Sequence, residues 1–217
     1  MIKAVLFDLD DTLIDRQKNV YDLFSHLIDE KLPNLQDPML REAMIQDCIL
    51  WDQFGNVTRP YIVERLERKY GVSLGDFDAI QWWLDNQGKY IHRFPETLPV
   101  LDYLKEKYLL GLVTNGTVRG QNEKVDAAGI RDYFSVIIIS NEHEMRKPDP
   151  RLFEMALDRL GVTAQEAVYV GDTFSNDVYG AYRAGLKPIW LKTYNRCFTE
   201  EKNIQVIDSL LQLKDLL

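Results

Sequence analysis

Four short polar stretches in this chain carry side chains suited to chemistry on a phosphorylated group. The first is Asp8-Leu9-Asp10-Asp11-Thr12. A carboxylate, with a reference pKa of about 3.9, is already ionised at neutral pH, so Asp8 can attack phosphorus without a base, which a serine could not do. Two residues on, Asp10 can reach an ester oxygen, protonate a leaving alkoxide, and then take a proton from the water that opens an aspartyl-phosphate. Aspartates in such a place also form turns or cap helices. The second stretch, Thr114-Asn115-Gly116, offers a hydroxyl and backbone N–H groups at a helix start, where they can hold phosphoryl oxygens, with glycine allowing close approach. An ordinary turn has the same composition. The third, Arg146-Lys147-Pro148-Asp149-Pro150, supplies a lysine able to neutralise a nucleophile and the equatorial oxygens of a loose transition state. A single lysine is more often a solvated surface charge, but the two prolines pin this loop, and Pro150 suits the first turn of a helix. The fourth runs from Gly171 to Asp177. Asp172 and Asp177 are oxygen donors of the kind magnesium prefers, and equally an N-cap followed by an acidic first turn.

Each stretch is weak evidence alone. Their positions strengthen them. Ile2 to Phe7 is an apolar run ended by carboxylates, and similar runs recur at Leu109 to Thr114, Val136 to Ser140, Ala167 to Gly171 and Pro188 to Leu191. Short apolar runs that stop at a polar edge read as strands buried on both faces. Between them lie helical repeats such as Leu98, Leu101, Leu104 and Tyr108, and Leu152, Phe153, Ala156, Leu157 and Leu160. Alternating strand and helix predicts an α/β fold with a doubly wound, Rossmann-like parallel sheet, in which ligands bind beyond the carboxyl ends of the strands. Four of the five runs end in one of the stretches above. Four accidents in an order that builds nucleophile, anion cradle, cation and metal site are improbable.

The first crossover is anomalous. A whole strand-helix-strand unit needs only about 30 residues, whereas Phe7 and Leu109 lie far further apart than that. The gap shows helical periodicity and no strand: Val20, Leu23, Phe24, Leu27 and Ile28; Leu40, Met44, Cys48 and Trp51; Ile62, Leu66 and Tyr70; Phe77, Ile80 and Leu84. Breaks at Pro33-Asn34, Gly55-Asn56 and Gly71-Val72 divide it, and Phe94-Pro95 marks the return to the sheet. The expected organisation is a Rossmann-like core at 1–14 and 95–217, with an inserted four-helix cap domain at 15–94.

Bulk properties narrow the partners. A net charge of −8 gives no electrostatic footprint for a nucleic acid polymer or an anionic membrane. No apolar stretch reads as a signal peptide or a membrane span. Two isolated thiols, Cys48 and Cys197, suggest a reducing compartment, so a cytoplasmic location is expected.

DLDDTL, TNG, KPDP and GDTFSND resemble, in order and approximate spacing, the four motifs of the haloacid dehalogenase superfamily. The resemblance covers the whole sheet domain. It implies that Asp8 is the nucleophile, Asp10 the acid and base, Thr114 and Asn115 the phosphate binders with Gly116 beside them, and Lys147 the stabilising cation. Mg2+ would be held by Asp8, Asp172 and the main-chain carbonyl of Asp10, with Asp177 supporting the metal directly or through its neighbours. The inserted helices resemble the family's α-helical cap. Many relatives carry glycine shortly before the motif lysine, where this chain has Glu144 next to an unusual His143.

The superfamily also contains dehalogenases, mutases and phosphonate-cleaving enzymes, so the fold does not decide the reaction. Asp10 discriminates among them, because halide leaves as a stable anion and needs neither acid nor metal, whereas an alkoxide needs both. The expectation is a phosphatase acting on a small phosphorylated metabolite. A phosphomutase on the same core, or a phosphometabolite-binding protein without turnover, are the alternatives. The motif texts look most like the nucleotidase and sugar-phosphate phosphatase branch. Trp51, Phe54, Trp82 and Trp83 could stack on a nucleobase, although aromatics at helical spacing are more often packed in a core. His26 and His92 are expected to be structural or solvated.

Overall fold

The computed structural model describes residues 1–193 and 204–217, and Cys197 lies outside the described residues. The chain divides into two compact units, Met1–Asp15 with Arg93–Leu217, and Arg16–His92. These joins fall one residue later and two residues earlier than those read from the sequence.

The inserted unit, the cap, consists of α1 (Arg16–Lys31), α2 (Pro38–Asp52), α3 (Arg59–Tyr70) and α4 (Ala79–Asn86). Two of these helices begin at an aspartate cap. Asp37 accepts from the N–H groups of Met39 and Leu40, and Asp78 from those of Ile80 and Gln81, each satisfying donors that the first helical turn leaves open. The apolar stripes of the first three helices converge in one cluster that includes Phe24, Ile28, Met44, Ile45, Cys48, Ile62 and Leu66. Burial, with Asp47 and Asp52 nearby, pushes the Cys48 thiol up to about 12, so it is a packing group rather than a nucleophile. The fourth helix departs from the sequence reading. Phe77 precedes α4, and Ile80 is exposed while Ala79 is buried. The cap at Asp78 starts the helix one residue before Ile80 and turns that side chain outward.

The core unit holds β1 (Ala4–Phe7), β2 (Leu109–Thr114), β3 (Val136–Ile139), β4 (Ala167–Gly171), β5 (Lys187–Leu191) and β6 (Gln205–Ile207). Its helices are α5 (Thr97–Lys105), α6 (Val118–Ala127), α7 (Pro150–Leu160), α8 (Tyr179–Arg183) and α9 (Leu213–Leu216). The strands form one parallel sheet in the order β3-β2-β1-β4-β5-β6. The direction of winding reverses at β1, which makes its carboxyl end the crevice where open parallel sheets bind ligands. Strand β6 is absent from the sequence reading because it is three residues long and partly exposed at the sheet edge. It has no fully apolar run to betray it.

All four residues of β1 are buried. On one face of the sheet, Leu152, Phe153, Ala156 and Leu157 of α7 pack with Leu6, Val113, Ile138 and Tyr169. Truncating such a leucine to alanine costs about 2–5 kcal/mol, so this packing fixes the register of the strand ends. The chain leaves and re-enters the core through a stitched joint. Ile14 bridges Arg93, and the Thr97 hydroxyl donates to the Leu13 carbonyl at 2.7 Å.

Candidate active site

Asp8 follows the last residue of β1, and its N–H still donates to the Val170 carbonyl at 2.9 Å. Backbone pairing with β4 therefore sets where its carboxylate begins. Lys147 comes from the loop after β3, whose Lys147–Pro148 peptide is cis. Its side chain is 3% exposed. The ammonium donates to Asp8 Oδ1 and Asp177 Oδ1, both at 2.6 Å, and to Tyr169 Oη at 3.0 Å. It is not a solvated surface charge. Burial alone would lower the lysine pKa, but Asp177 and Asp8 outweigh that and hold it above its ordinary value, so the cation is permanent.

The loop that carries Lys147 is held from β2. The Asn115 side chain receives the Lys147 N–H at 2.8 Å and donates back to the Lys147 carbonyl at 3.3 Å. A phosphate-binding role was expected for Asn115 and Gly116, and both have other partners here. Asn115 braces the lysine loop. The Gly116 N–H donates to Ser140 Oγ at 3.0 Å. A Cβ on Gly116 would lie 2.7 Å from Cγ of Gln121, so the missing side chain makes room for Gln121. Thr114 is buried at the end of β2, with its Oγ1 2.6 Å from Gln121 Nε2. Asp10 lies beside it, held by Lys124 at 2.8 and 2.9 Å and by Gln121 at 3.1 Å. The helix that supplies Gln121 and Lys124 starts where Thr117 caps the Gly120 N–H.

Asp172 directly follows β4, and Asp177 sits on the wide helical turn Phe174–Val178 that comes next. A Cβ on Gly171 would fall 2.5 Å from Asp177, so only glycine lets this carboxylate fold back against the strand. Asp177 has both oxygens engaged: Oδ1 with Lys147 and Tyr169, and Oδ2 with the Thr173 N–H at 2.9 Å. Trp190 of β5 donates its indole N–H to the Asp172 carbonyl at 2.7 Å. Asp8, Asp172 and Asp177 offer oxygens that all lie within 4.8 Å of one another. Burial raises the Asp172 carboxyl to about 9, with Asp177 and Asp8 adding repulsion. Asp8 is raised to about 7, again by burial first, against the pull of Lys147. Three clustered carboxylates around one ammonium leave negative charge uncompensated, and hard oxygen donors in that state fit a divalent cation such as magnesium.

Glu144 takes a left-handed backbone, φ 53°, three residues before Lys147. That conformation suits glycine, and the chain makes the turn with a strained residue instead. Three residues of the site escaped sequence analysis: Gln121, Lys124 and Tyr169. The tyrosine lies in an apolar run and reads as core until its hydroxyl is seen donating to the Val113 carbonyl at 2.9 Å and receiving Lys147.

The cap aromatics do not form a stacking platform. Trp51 is 5% exposed in the cap core, with the Arg65 guanidinium 4.5 Å from its ring centre. Trp82 donates to Glu30 and stacks on His26, and Trp83 packs on Phe24 under Arg59. Phe54 alone of the four is exposed. Trp51 is buried in the cap cluster, and Trp82 and Trp83 are packed against it, partly buried. His92 pairs with Asp22 at 2.7 Å, and His26 and His92 both serve local structure.

Residues 5–191 match the haloacid dehalogenase-like hydrolase family. The chain belongs to that family. It is an enzyme of the phosphohydrolase kind. Among haloacid dehalogenase-like relatives, the glyceraldehyde 3-phosphate phosphatase of Methanothermobacter thermautotrophicus is 33% identical over the full length of both chains. The pyrimidine 5'-nucleotidase of Escherichia coli is also 33% identical, but over 47% of this chain and 46% of that one. The magnesium-bound HAD-hydrolase YfnB of Bacillus subtilis shares the fold, with a TM-score of 0.79 over 99% of this chain and 98% of that one at 22% identity. No helix among the described residues is long and apolar enough to cross a membrane.

Proposed function

We propose that this protein is a magnesium-dependent phosphatase that hydrolyses a small sugar-phosphate monoester through an aspartyl-phosphate on Asp8. What carries the reading is the convergence of Asp8, Lys147 and the Asp172–Asp177 pair at one sheet edge, with Lys147 Nζ 2.6 Å from the proposed nucleophile. The preference for a sugar phosphate over a nucleotide is supported by full-length similarity to a glyceraldehyde 3-phosphate phosphatase. The packed state of Trp51, Trp82 and Trp83, which withdraws the base-stacking surface, points the same way.

Asp8 and Asp172, with the main-chain carbonyl of Asp10, would hold the magnesium. Asp177, its oxygens already hydrogen-bonded, steadies Lys147 beside them. When bound, the ion supplies positive charge to the transferring phosphoryl group and permits two anions to meet. The chain's own residues do the rest. Lys147 fixes one oxygen of Asp8 so that the carboxylate cannot rotate away, and it neutralises charge as the Asp8 oxygen bonds to phosphorus. The Thr114 hydroxyl holds a phosphoryl oxygen. As the ester P–O bond breaks, Asp10 gives its proton to the leaving alkoxide; in the second half it accepts a proton from the attacking water, and inorganic phosphate departs.

Phosphate release should be measured on a panel of triose, other sugar and nucleoside monophosphates, with magnesium and with EDTA. Release that depends on magnesium and favours the sugar phosphates is the expected result. Isomerised sugar phosphate without free phosphate would replace the phosphatase with a mutase.

A further inference from the structure

Asp10 is gripped from the helix that follows β2. Lys124 Nζ lies 2.8 Å from Oδ1 and 2.9 Å from Oδ2, and Gln121 Nε2 lies 3.1 Å from Oδ2. The two residues are three apart on α6, so one face of that helix presents both. The pair is largely shielded, with side chains 15% and 19% exposed for Lys124 and Asp10. A cation straddling both oxygens and an amide on one of them define the plane of the carboxylate, which a single contact would leave free to turn. Gln121 does a second thing. The same amide nitrogen is 2.6 Å from Thr114 Oγ1, and an amide nitrogen can only donate, so the threonine oxygen is the acceptor there. The Thr114 hydrogen is left to point at another acceptor. Gly116 is what admits this side chain, since any Cβ there would collide with it.

We propose that Lys124 and Gln121 are positioning residues: together they aim Asp10 for proton transfer, and Gln121 makes the Thr114 hydroxyl a donor toward the phosphoryl group. The inference rests on the phosphatase reading above. It couples the acid/base group to the phosphate cradle through one amide, so neither can be disturbed without the other. Its consequence differs between the two halves of the reaction. In the first, the Asp8–phosphorus bond forms and the ester bond breaks; an aryl oxide leaves readily without a proton, whereas an alkoxide takes one from Asp10. In the second, water bonds to phosphorus, the bond to Asp8 breaks, and the water proton passes to Asp10 whatever the original ester was.

The test is rapid-quench and steady-state kinetics of the unmutated enzyme, Lys124→Met and Lys124→Arg with magnesium, on p-nitrophenyl phosphate and on a primary alkyl phosphate. For Lys124→Met and the aryl ester, a burst of about one p-nitrophenol per enzyme is expected, followed by turnover slowed about tenfold. The alkyl ester should slow further, because both halves then need Asp10. For the aryl ester KM should fall in step with turnover, leaving kcat/KM within about twofold; for the alkyl ester KM itself should stay within about twofold, and Lys124→Arg should recover most of the rate. In an Asp10→Asn background, Lys124→Met should change the rate by less than about twofold. Gln121→Met should instead raise KM for both esters together with its loss in turnover, since it touches Thr114 as well. Unchanged turnover in folded Lys124→Met, or a full tenfold loss in the Asp10→Asn background, overturns the proposal. Should Lys124→Met fail to fold, Lys124→Gln, which is polar and nearly as long, carries the same comparison. No phosphate release by the unmutated enzyme, or full release by Asp8→Asn, would sink the phosphatase reading instead.

Discussion

In the cap, one buried carboxylate meets two guanidiniums; in the core, three clustered carboxylates share one ammonium, which bonds to two of them. Asp52 accepts from Arg16 at 2.6 Å, from Arg59, and from the Gly55 N–H at 2.9 Å. Burial alone would raise its pKa, yet Arg16 and Arg59 outweigh that and hold it below the ordinary carboxylate range. Asp8 and Asp172 are raised instead, by burial that Lys147 does not offset. The carboxylates of both clusters are buried and hydrogen-bonded, so burial does not distinguish them. The sign of the leftover charge does. The cap cluster is complete within its own unit and acts as structure. The core cluster is short of positive charge, which is the state of a site that takes up a cation and an anionic substrate together.

The comparison breaks most directly at Asp8. Replacing it by asparagine keeps the shape of the site and removes the nucleophile, and phosphate release should fall on the order of 10⁴-fold or more; a fall of only a few-fold would make Asp8 an electrostatic bystander. In the cap, Asp52→Ala removes the carboxylate to which Arg16 and Arg59 both donate and should cost about 3 kcal/mol, measured as loss of hydrogen-exchange protection in α2 and α3. If that protection is unchanged, the cap cluster is not structural.

Magnesium sharpens the contrast. At about 100 times its dissociation constant it should stabilise the core by about 2.7 kcal/mol, and Asp172→Asn should abolish the shift in thermal unfolding while Asp52→Ala leaves it in place. The two clusters also predict opposite pH slopes. Asp8 and Asp172 rise from 3.8 to about 7 and about 9 on folding, so between those limits the folded core binds more protons than the unfolded chain. Without a divalent cation its stability should therefore drop as pH climbs from about 4 to 9. Asp52 is depressed, so its contribution is present above the unfolded carboxylate pKa of about 3.9 and is lost as pH falls through the lower folded value. Exchange of β1 and α2 amides, followed against pH with and without magnesium, separates the two; parallel slopes in both units would refute the assignment. The smallest effect concerns backbone. Glu144 before Lys147 and Gln53 after Asp52 both have positive φ. Glu144→Gly should relieve about 1 kcal/mol of strain and raise the thermal midpoint slightly, with activity unaltered.

Much of this was legible in the chain itself. Strands buried on both faces must be apolar throughout, so β1, β2 and β4 stand out, and the polar residues that end them can only lie at the sheet edge. That logic reaches Asp8, Thr114, Asp172 and Asp177. It failed for β6, too short and too exposed to carry a pattern, and for Ile80, where a capping aspartate outweighed the apparent stripe. The cap tryptophans stayed ambiguous for a related reason: a large ring at helical spacing looks the same whether it fills a core or awaits a ligand.

Residue order alone determined the alternation of strand and helix, the insertion after β1, and the chemical types available at each strand end, because these follow from local periodicity and from which groups can be ionised. Tertiary structure decided the partners. Lys147 sits between Asp8 and Asp177, Asn115 braces the lysine loop, and Gln121 and Lys124 face Asp10, because strand register and the docking of α6 bring together atoms more than a hundred residues apart in the case of Asp10. A contact at that separation leaves no trace in local pattern; it exists only once the sheet has set its register.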